Sequence, residues 1–226
     1  MNINSNNRKF DGSVNDDVKS LLGTLVDKGT NSEQYKNTML KLGQFMGKEL
    51  LKKLDPTKKY CVASTVEDAD FLANGIIDSI KDSVDTVYLA CFWNDRFSNV
   101  APIYNKYLDK GVENSHALIV VKSIMSGSCV VKTNITALIN QIEASEIFVL
   151  APVMHKDSQK KLEKEFPEQI SNRFDYFSLA IDECRDESGE VLPGIGGSVY
   201  ERLGFKGQSD KNKYLPNIVQ KRIFAF

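Results

Sequence analysis

Short apolar runs alternate with amphipathic segments along most of this chain, and that alternation limits the folds it can adopt. The runs that we predict to be strands are YCVAS (60–64), TVYLACFW (86–93), HALIVV (116–121), EIFVLAPV (146–153) and YFSLAI (176–181). Between them, apolar residues recur at helical spacing in segments 68–80 and 132–143, and more weakly in 158–166. Strands and helices that alternate in this way form a parallel sheet covered on both faces. The sequence therefore predicts an α/β fold.

Three loops follow predicted strands and mark where a ligand would bind. They span residues 64–70, 122–129 and 182–197. Ligands of parallel α/β sheets bind beyond the carboxyl ends of the strands. We therefore expect these loops to converge on one site.

Composition agrees with one domain and argues against some partners. The 29 basic and 30 acidic residues give a net charge of −1, so no long-range field favours nucleic acid or anionic lipid. No apolar run approaches the roughly 18 residues of a membrane span and no signal peptide opens the sequence, which predicts a protein without a membrane partner. The cysteines form neither a C-x-x-C pair nor a metal-ligand pattern, which is typical of reduced thiols in the cytoplasm.

The two ends of the sequence differ from its centre. Residues 1–16 are rich in Asn, Asp and Ser and are predicted to be a disordered arm. Residues 17–207 are predicted to form one domain, with no linker inside 18–205. Residues 208–226 are predicted to be a basic, aromatic C-terminal tail.

Residues 178–207 (SLAIDECRDESGEVLPGIGGSVYERLGFKG) carry the most specific signal for a binding pocket. A predicted strand ends there in an acidic pair and is followed by a Pro-Gly turn and further glycines. Pro193 fixes its own φ angle, and the glycines let the main chain approach a flat ligand that a Cβ atom would obstruct. The segment therefore predicts a pocket lined by backbone groups.

This segment resembles the base-binding hood of uracil phosphoribosyltransferases, where A-I-D-E/Q leads through G-Y-I-x-P-G-L-G to G-D-A-G-D-R-x-F-G. The resemblance continues in order over nearly the whole chain. Segments 25–50, 61–76, 91–108 and 117–129 are similar to the family's N-terminal helical entry, diphosphate loop, R-N/D-E-x-T hairpin, and strand with phosphate loop. It implies a type I phosphoribosyltransferase fold, a parallel sheet flanked by helices with a base-binding hood.

The resemblance also implies which residues bind a ligand. The base-binding positions are Asp182, Pro193, Gly194, Ile195, Gly196 and Gly197, and the phosphate-binding positions are Lys122, Ser126, Gly127, Ser128 and Cys129. The ligand would be a nucleobase, a nucleotide or a molecule like phosphoribosyl diphosphate, with Mg²⁺ as cofactor if the protein is active. The loop has an alternative interpretation, a strand-to-helix turn in which Ser126 or Ser128 is the N-cap.

Several residues on which the family's chemistry depends are replaced in this sequence. Val121 stands where the family has an aspartate that binds the ribose hydroxyls. Trp93 stands where the family has an arginine, and Arg96 is close enough in sequence to substitute for it. Gly197 occupies the position of an aspartate that lies beside the reacting base. Both the ribose clamp and the diphosphate contacts are thus expected to be incomplete.

The loop that matches the diphosphate site is acidic, with Glu67, Asp68 and Asp70 in place of an arginine and two glycines. Carboxylates repel a diphosphate unless Mg²⁺ lies between them. The cluster could itself hold a metal, or it could be the acidic first turn of a helix, which the helix dipole favours. The sequence identifies no established catalytic set, and the candidates are Glu67, Asp68, Asp70 and Asp182.

Two hypotheses follow. In the first, the chain is a relative of uracil phosphoribosyltransferase without standard catalysis that binds a nucleobase or nucleotide for sensing or partner assembly. Degenerate relatives of this fold resemble accessory modules of bacterial operons, including anti-phage retron-type systems, so a protein or nucleoprotein partner is also expected. In the second, the chain is an active phosphoribosyltransferase, or an enzyme that cleaves nucleotide glycosidic bonds, with relocated catalytic residues.

The resemblance further implies a homodimer built through the 91–108 hairpin. Aromatic side chains anchor many protein interfaces. The aromatic residues that we expect at this interface are Phe92, Trp93, Phe97 and Tyr107.

Overall fold

The computed structural model describes residues 7–97 and 100–224. Its central sheet contains β1 (Arg8–Phe10), β2 (Lys59–Thr65), β3 (Thr86–Asn94), β4 (Ile103–Leu108), β5 (Ala117–Val121), β6 (Ile124–Met125), β7 (Glu146–His155) and β8 (Phe174–Asp182). The spatial order is β1-β8-β7-β5-β2-β3-β4, and β6 pairs with β7. Strands β8, β7, β5, β2 and β3 are parallel, whereas β1 and β4 pair antiparallel at the two edges. The predicted α/β fold with a parallel sheet is confirmed.

Helices connect these strands, and a small hairpin extends the last one. The helices are α1 (Asp16–Val26), α2 (Ser32–Leu51), α3 (Val66–Asp68), α4 (Asn74–Ile80), α5 (Cys129–Ile139), α6 (Ser158–Glu163), α7 (Glu168–Ser171), α8 (Val199–Arg202), α9 (Gln208–Lys213) and α10 (Asn217–Ile223). A π-helical turn at Ala69–Ala73 joins α3 to α4. Strands β9 (Cys184–Arg185) and β10 (Val191–Leu192) form an antiparallel hairpin beyond β8, and the hood follows it. Within the described ranges, none of the helices is both long and apolar enough to cross a membrane.

The sheet has a hydrophobic core on each face. Helices α1, α2 and α4 contribute buried residues to one core, and α5 and α6 contribute to the other. All five residues of β5, ALIVV, are buried, as expected for a central parallel strand covered on both sides. The alternation of strands and helices thus produces the two-sided covering that the sequence predicts.

Two glycines allow α2 to contact the helical segment that follows β2. A Cβ atom on Gly43 would lie 2.2 Å from the carbonyl oxygen of Leu72, and one on Gly75 would lie 2.3 Å from that of Leu40. Any larger residue at these positions would push the two helices apart. This packing holds the start of the segment, where the acidic loop lies, against the carboxyl edge of the sheet.

The N-terminal segment differs from the predicted disordered arm. Residues 8–10 form an edge strand that pairs with β8, and Arg8 is opposite Asp182. The Arg8 side chain forms an ion pair with the Asp182 carboxylate, which gives this short strand a fixed register. Residues 1–6 of the arm lie outside the described residues.

The predicted C-terminal tail is largely folded against the domain. Helices α9 and α10 pack beside β3, and the indole Nε1 of Trp93 donates a hydrogen bond of 2.9 Å to the carbonyl of Tyr214. Lys211 of α9 is fully buried. The boundary at residue 207 stays a prediction, but these contacts make residues 208–224 part of the environment of the site.

Candidate functional site

The carboxyl ends of the parallel strands meet at one edge of the sheet, which brings together loops that were predicted to converge. Glu67 and Asp68 follow β2, Asn94 ends β3, and Lys122 follows β5. Because β2 lies between β3 and β5, these side chains come together although they are distant in sequence. The edge contains three distinct regions, which are a buried ionic network, the hood and an outer cleft.

The ionic network is centred on Lys122. Its Nζ lies 2.5 Å from Asp68 Oδ2 and 3.1 Å from Glu67 Oε1. The exposed fractions of the Glu67 and Asp68 side chains are only 4% and 2%. Asp68 also accepts hydrogen bonds from the Thr65 hydroxyl at 2.9 Å and from the Ser123 N–H at 3.2 Å. The ion-pair partners of Lys122 are therefore internal carboxylates.

Lys211 adds a second cation to this network. Its Nζ donates a 2.6 Å hydrogen bond to the Asn94 carbonyl and lies 5.4 Å from the centre of the Tyr200 ring. Glu67 Oε2 is buried and has no hydrogen-bond partner among the described residues. That oxygen therefore depends on the charges of Lys122 and Lys211 for compensation.

The pKa values in this network reflect burial and mutual attraction. Burial alone would raise the pKa of Glu67, but the charges of Lys122 and Lys211 outweigh it and lower that pKa. Burial would lower the pKa of Lys122, but Asp68 and Glu67 hold it above its usual value. Burial lowers the pKa of Lys211 despite the opposing charge of Glu67. The Glu67 and Lys122 shifts both favour the charged forms.

Asp70 does not converge with the other acidic residues. Its carboxylate accepts hydrogen bonds from the Asn217 and Ile218 N–H groups, both at 2.8 Å, and from the Tyr214 hydroxyl. It thus anchors the start of α10. Across residues 7–97 and 100–224, no group of three or more His, Cys, Asp or Glu side chains is placed to hold a metal ion.

Asp182 supports the hood from inside. It is fully buried, and its two oxygens accept hydrogen bonds of 2.7 Å each from Arg8 Nε and Nη2. Asp182 also accepts a 2.8 Å bond from the Gly194 N–H, while Arg8 donates at 2.6 Å to the Gly194 carbonyl. This bidentate arrangement fixes the turn. Asp182, one of the candidate catalytic residues, therefore positions the turn of the hood through its bond to Gly194.

The glycines of the hood have different surroundings. A Cβ atom on Gly196 would lie 2.1 Å from the Leu25 carbonyl oxygen, whereas one on Gly197 would have no atom within 4 Å. Gly194, Gly196 and Gly197 all have positive φ angles. The Tyr35 hydroxyl donates a 3.1 Å hydrogen bond to the Ile195 carbonyl. Gly194 and Gly196 therefore hold the turn against the protein, and Gly197 faces open space.

The hood encloses a cavity of about 380 Å³, which we call the hood cavity. Of the predicted base-binding residues, Ile195 and Gly197 line it, with Ser126 and Arg96 on its other walls. Tyr200 also lines it, and burial raises the pKa of Tyr200 to about 12, so its hydroxyl is neutral at neutral pH. The volume of the hood cavity falls within the usual range for small-molecule sites.

The phosphate loop separates the hood cavity from a second cavity. Ser126 lines the hood cavity, whereas Gly127, Ser128 and Cys129 line a larger cavity of about 740 Å³, which we call the outer cleft. Ser128 occupies the N-cap position of α5 but makes no capping hydrogen bond with its side chain, and its hydroxyl donates to Glu165 at 3.4 Å. Burial raises the pKa of the Cys129 thiol. The structure thus brings four of the five predicted phosphate-binding residues together and places Lys122 elsewhere.

Sequence reasoning missed three residues that shape this edge: Arg8, Lys211 and Tyr200. Arg8 and Lys211 lie in segments predicted to be outside the domain. Tyr200 lies inside the predicted domain but was not among the predicted site residues. Nothing in the local sequence of Arg8 and Lys211 indicates that they are buried, because their partners Asp182 and Asn94 are more than 100 residues away.

The expected dimer anchors are only partly exposed. Phe92 and Trp93 have exposed fractions of 0% and 4% and belong to the hydrophobic cores, so the expectation that they anchor an interface is wrong. Tyr107 is half-buried, and its hydroxyl donates to Asp109 at 2.7 Å. Phe97 is exposed.

Comparison with known proteins finds similar sequences and similar structures. A uracil phosphoribosyltransferase from Mycoplasma genitalium is 24% identical over 203 residues, which cover 82% of this chain and 94% of that protein. The AQ2163 protein from Aquifex aeolicus superposes with a TM-score of 0.69 at 14% identity, over 86% of this chain and 97% of that chain, so the two share a fold. No protein-family model matches the chain.

A hypoxanthine phosphoribosyltransferase from Trypanosoma cruzi, in complex with the product IMP, gives a TM-score of only 0.41 at 10% identity, over 69% of this chain and 80% of that one. That overlap is too low for a comparison of sites. The sequence match spans most of both chains, and it coincides with a parallel sheet that carries a hood. These findings identify the chain as a divergent, type I phosphoribosyltransferase-like protein.

Proposed function

We propose that this chain binds a nucleobase or nucleotide without standard phosphoribosyltransferase catalysis, and that it acts in the cytoplasm as a sensing or partner-assembly module. The base would lie in the hood cavity, and a phosphate would bind to the N–H groups of the Ser126–Ser128 loop. Small residues at the start of a helix form a concave, partly positive site of the kind that binds phosphate.

The observation that carries this proposal is the ionic network of Glu67, Asp68, Lys122 and Lys211. Its two carboxylates follow β2, in the region that matches the family's diphosphate loop. Lys122 is bound to Asp68 at 2.5 Å, so it is not available to neutralise a diphosphate. Because Lys122 and Lys211 compensate Glu67 and Asp68, the network offers no uncompensated positive charge to a diphosphate.

The ribose contact is also missing from this edge. Val121, at the position of the family's ribose-binding aspartate, is buried and apolar. Glycosyl transfer requires the ribose to be positioned while the diphosphate is stabilised, and each requirement lowers the barrier by several kcal/mol. The combined loss argues for binding without turnover.

The alternative is an active enzyme with relocated groups and bound Mg²⁺, either a phosphoribosyltransferase or an enzyme that cleaves nucleotide glycosidic bonds. It requires Glu67, Asp68 or Asp70 to reach a ligand. Glu67 and Asp68 are buried against Lys122, and Asp70 is bonded to the start of α10. Their present contacts favour a structural role.

Two measurements on the wild-type protein test the proposal. Uracil and phosphoribosyl diphosphate with Mg²⁺ should give no UMP above a protein-free control, whereas calorimetry should detect UMP binding. Turnover within the typical range of about 1–10³ s⁻¹ would overturn the non-catalytic assignment. Lack of binding by uracil and by all common nucleoside monophosphates at millimolar concentration would overturn the binding assignment.

A matched pair of glycine variants tests the position of the phosphate. Gly127 lines the outer cleft, and a Cβ atom on it would have no protein atom within 4 Å, so Gly127→Val should abolish UMP binding by filling ligand space while the fold persists by circular dichroism. Gly12→Val introduces the same side chain at another open position, far from the loop in sequence, and should bind like wild type. Equal binding by both variants would exclude the loop.

The proposal also includes the oligomeric state and the macromolecular partners of the protein. We propose a homodimer, which light scattering at micromolar concentration tests, since a 25.3 kDa species alone would contradict it. We also propose a protein or nucleoprotein partner, in an operon context such as an anti-phage retron-type system. A reverse transcriptase or nuclease gene beside this gene would support that context, and a nucleotide-salvage neighbourhood would contradict it.

A further inference from the structure

The outer cleft is large and has an excess of positive charge. Its volume of about 740 Å³ compares with about 380 Å³ for the hood cavity. Arg96 from the β3–β4 connection, Lys132 from α5 and Lys161 from α6 line it. Glu165 is the one carboxylate among the described residues that line it. The cleft therefore favours an anion with more than one charge.

Arg96 lies between the two cavities and contributes to the walls of both. Burial raises the pKa of Cys129 in the outer cleft and of Tyr200 in the hood cavity, and in each case the charge of Arg96 acts in the opposite direction. The Arg96 guanidinium is thus close enough to influence the charge of both side chains, Cys129 and Tyr200. The adjacent residues Ser126 and Gly127 line one cavity each, so the phosphate loop forms the divide.

Glu165 controls how much of the positive charge faces a ligand. Its carboxylate lies 2.5 Å from Lys132 Nζ and accepts a 3.4 Å hydrogen bond from Ser128. Both side chains of the ion pair are partly exposed, at 43% and 37%, so it is a weak pair in contact with water. An incoming phosphate competes with Glu165 for Lys132, whereas Arg96 and Lys161 provide the remaining attraction.

We infer that the nucleotide bound at this edge is a nucleoside polyphosphate, with its base in the hood cavity, its first phosphate at the loop beside Arg96, and its further phosphates in the outer cleft. This inference rests on the proposed function and narrows its ligand class. A monophosphate would leave Lys132 and Lys161 without a ligand contact.

Calorimetry with mono-, di- and triphosphates of the four common ribonucleosides, in the presence of EDTA, tests the inference. The triphosphate should bind about fivefold to tenfold more tightly than the monophosphate of the same base, because each additional exposed charge contact contributes a modest factor. The ratio should decrease with increasing salt concentration. Equal affinities would overturn the inference while the proposed function stands, and no binding by any nucleotide would overturn both.

Two pairs of variants locate the effect. Lys161→Ala should reduce the ratio of triphosphate to monophosphate affinity about twofold to fivefold, and Glu165→Gln should increase it, because Lys132 is released. Lys160→Ala and Glu163→Gln make the same charge changes on α6 without lining the cleft, and should leave the ratio within about twofold of wild type. Controls that change the ratio as much as the cleft variants would assign the effect to the general surface field and overturn the inference.

Discussion

The ionic network and the phosphate loop lie at the same edge of the sheet but use charge in opposite ways. Lys122 is enclosed by two carboxylates whose exposed fractions are below 5%. Lys132, in the outer cleft, forms an ion pair with a partly exposed carboxylate and faces a cavity. The first region compensates its charges internally, and the second retains charge that a ligand can use. Similar residue types are thus buried and mutually compensated in one place and partly exposed beside a cavity in the other.

Under the proposed function, this difference lets the phosphoribosyltransferase-like fold persist without diphosphate contacts. An enzyme of this kind has to leave charges uncompensated where a diphosphate binds. Here Glu67 and Asp68 face Lys122 and Lys211, which allows the region to pack as a core does. The hood and the phosphate loop depend on backbone groups, which substitutions of side chains leave in place.

The largest effect is expected from a substitution that breaks the ionic network. Lys122→Met leaves two buried carboxylates without their main partner and should decrease the free energy of unfolding by about 3–5 kcal/mol. Lys132→Met removes the same charge from the exposed pair and should change it by less than about 1 kcal/mol. Urea denaturation of both variants measures the contrast. Similar losses in the two variants would show that the regions do not differ as described.

A glycine of the hood and a glycine of the phosphate loop should differ, the first as a structural position and the second as an open one. Gly196→Val places a side chain against the Leu25 carbonyl at a φ angle of +83°, and should destabilise the fold by about 2–4 kcal/mol. Gly127→Val should change stability by no more than about 0.5 kcal/mol, because the side chain points into open space. Thermal unfolding monitored by circular dichroism distinguishes them. A stable Gly196→Val protein would contradict the close packing of the hood against α1.

Much of the fold could be predicted from the sequence, because the central strands are encoded locally. Segments 60–64 and 116–121 are continuous apolar runs, and they form β2 and β5 within one residue at either end. The edge strand β1 could not be predicted in this way. The sequence RKF has no apolar pattern, and its pairing depends on the ion pair between Arg8 and Asp182.

The convergence of the predicted loops could be foreseen, but the details of the candidate site could not. The resemblance placed the phosphate loop and the hood together, and the structure does so. It could not show that Lys122 contacts Asp68, because that distance depends on the register of β2 and β5. Nor could it distinguish Gly196 from Gly197, since only packing against Leu25 separates them. Tertiary contacts decide which side chains of a motif face the ligand.

The pH dependence of stability gives a subtler test of the network. The pKa of Glu67 is lower in the folded protein than its usual value of 4.5. Its contribution to stability is therefore fully present above about pH 4.5 and is lost as the pH falls through the folded-state pKa. Lys122 has a raised pKa, so its contribution is present below pH 10.5 and is lost as the pH rises through the folded-state value.

The variant Glu67→Gln removes the contribution of Glu67 to the pH dependence of stability at acid pH. Its free energy of unfolding should decrease less steeply than that of wild type between about pH 4.5 and pH 3, as measured by urea titrations at each pH. Glu113→Gln removes the same charge from an exposed position and is the matched control. An unchanged acid slope in Glu67→Gln would show that Glu67 does not gain its charge stabilisation from the network.

The smallest expected effect concerns Asp70, the acidic residue that the structure separates from the network. Asp70→Asn keeps one acceptor oxygen but loses the charge that receives hydrogen bonds from Asn217, Ile218 and Tyr214. We expect a loss of about 1–2 kcal/mol in unfolding free energy, as is usual when hydrogen bonds to a charged group are weakened. Amide exchange should become faster in residues 217–223 but not in α2, because α10 loses its anchor.

Asp78→Asn is the matched control for this last effect. Asp78 forms an exposed ion pair with Lys81 on α4, and its removal should cost less than about 0.5 kcal/mol. Nucleotide binding by Asp70→Asn should equal that of wild type, since its carboxylate contacts α10 and not a cavity. If instead Asp70→Asn loses nucleotide binding without faster exchange in α10, then Asp70 acts on the ligand and the two acidic regions have to be considered one site.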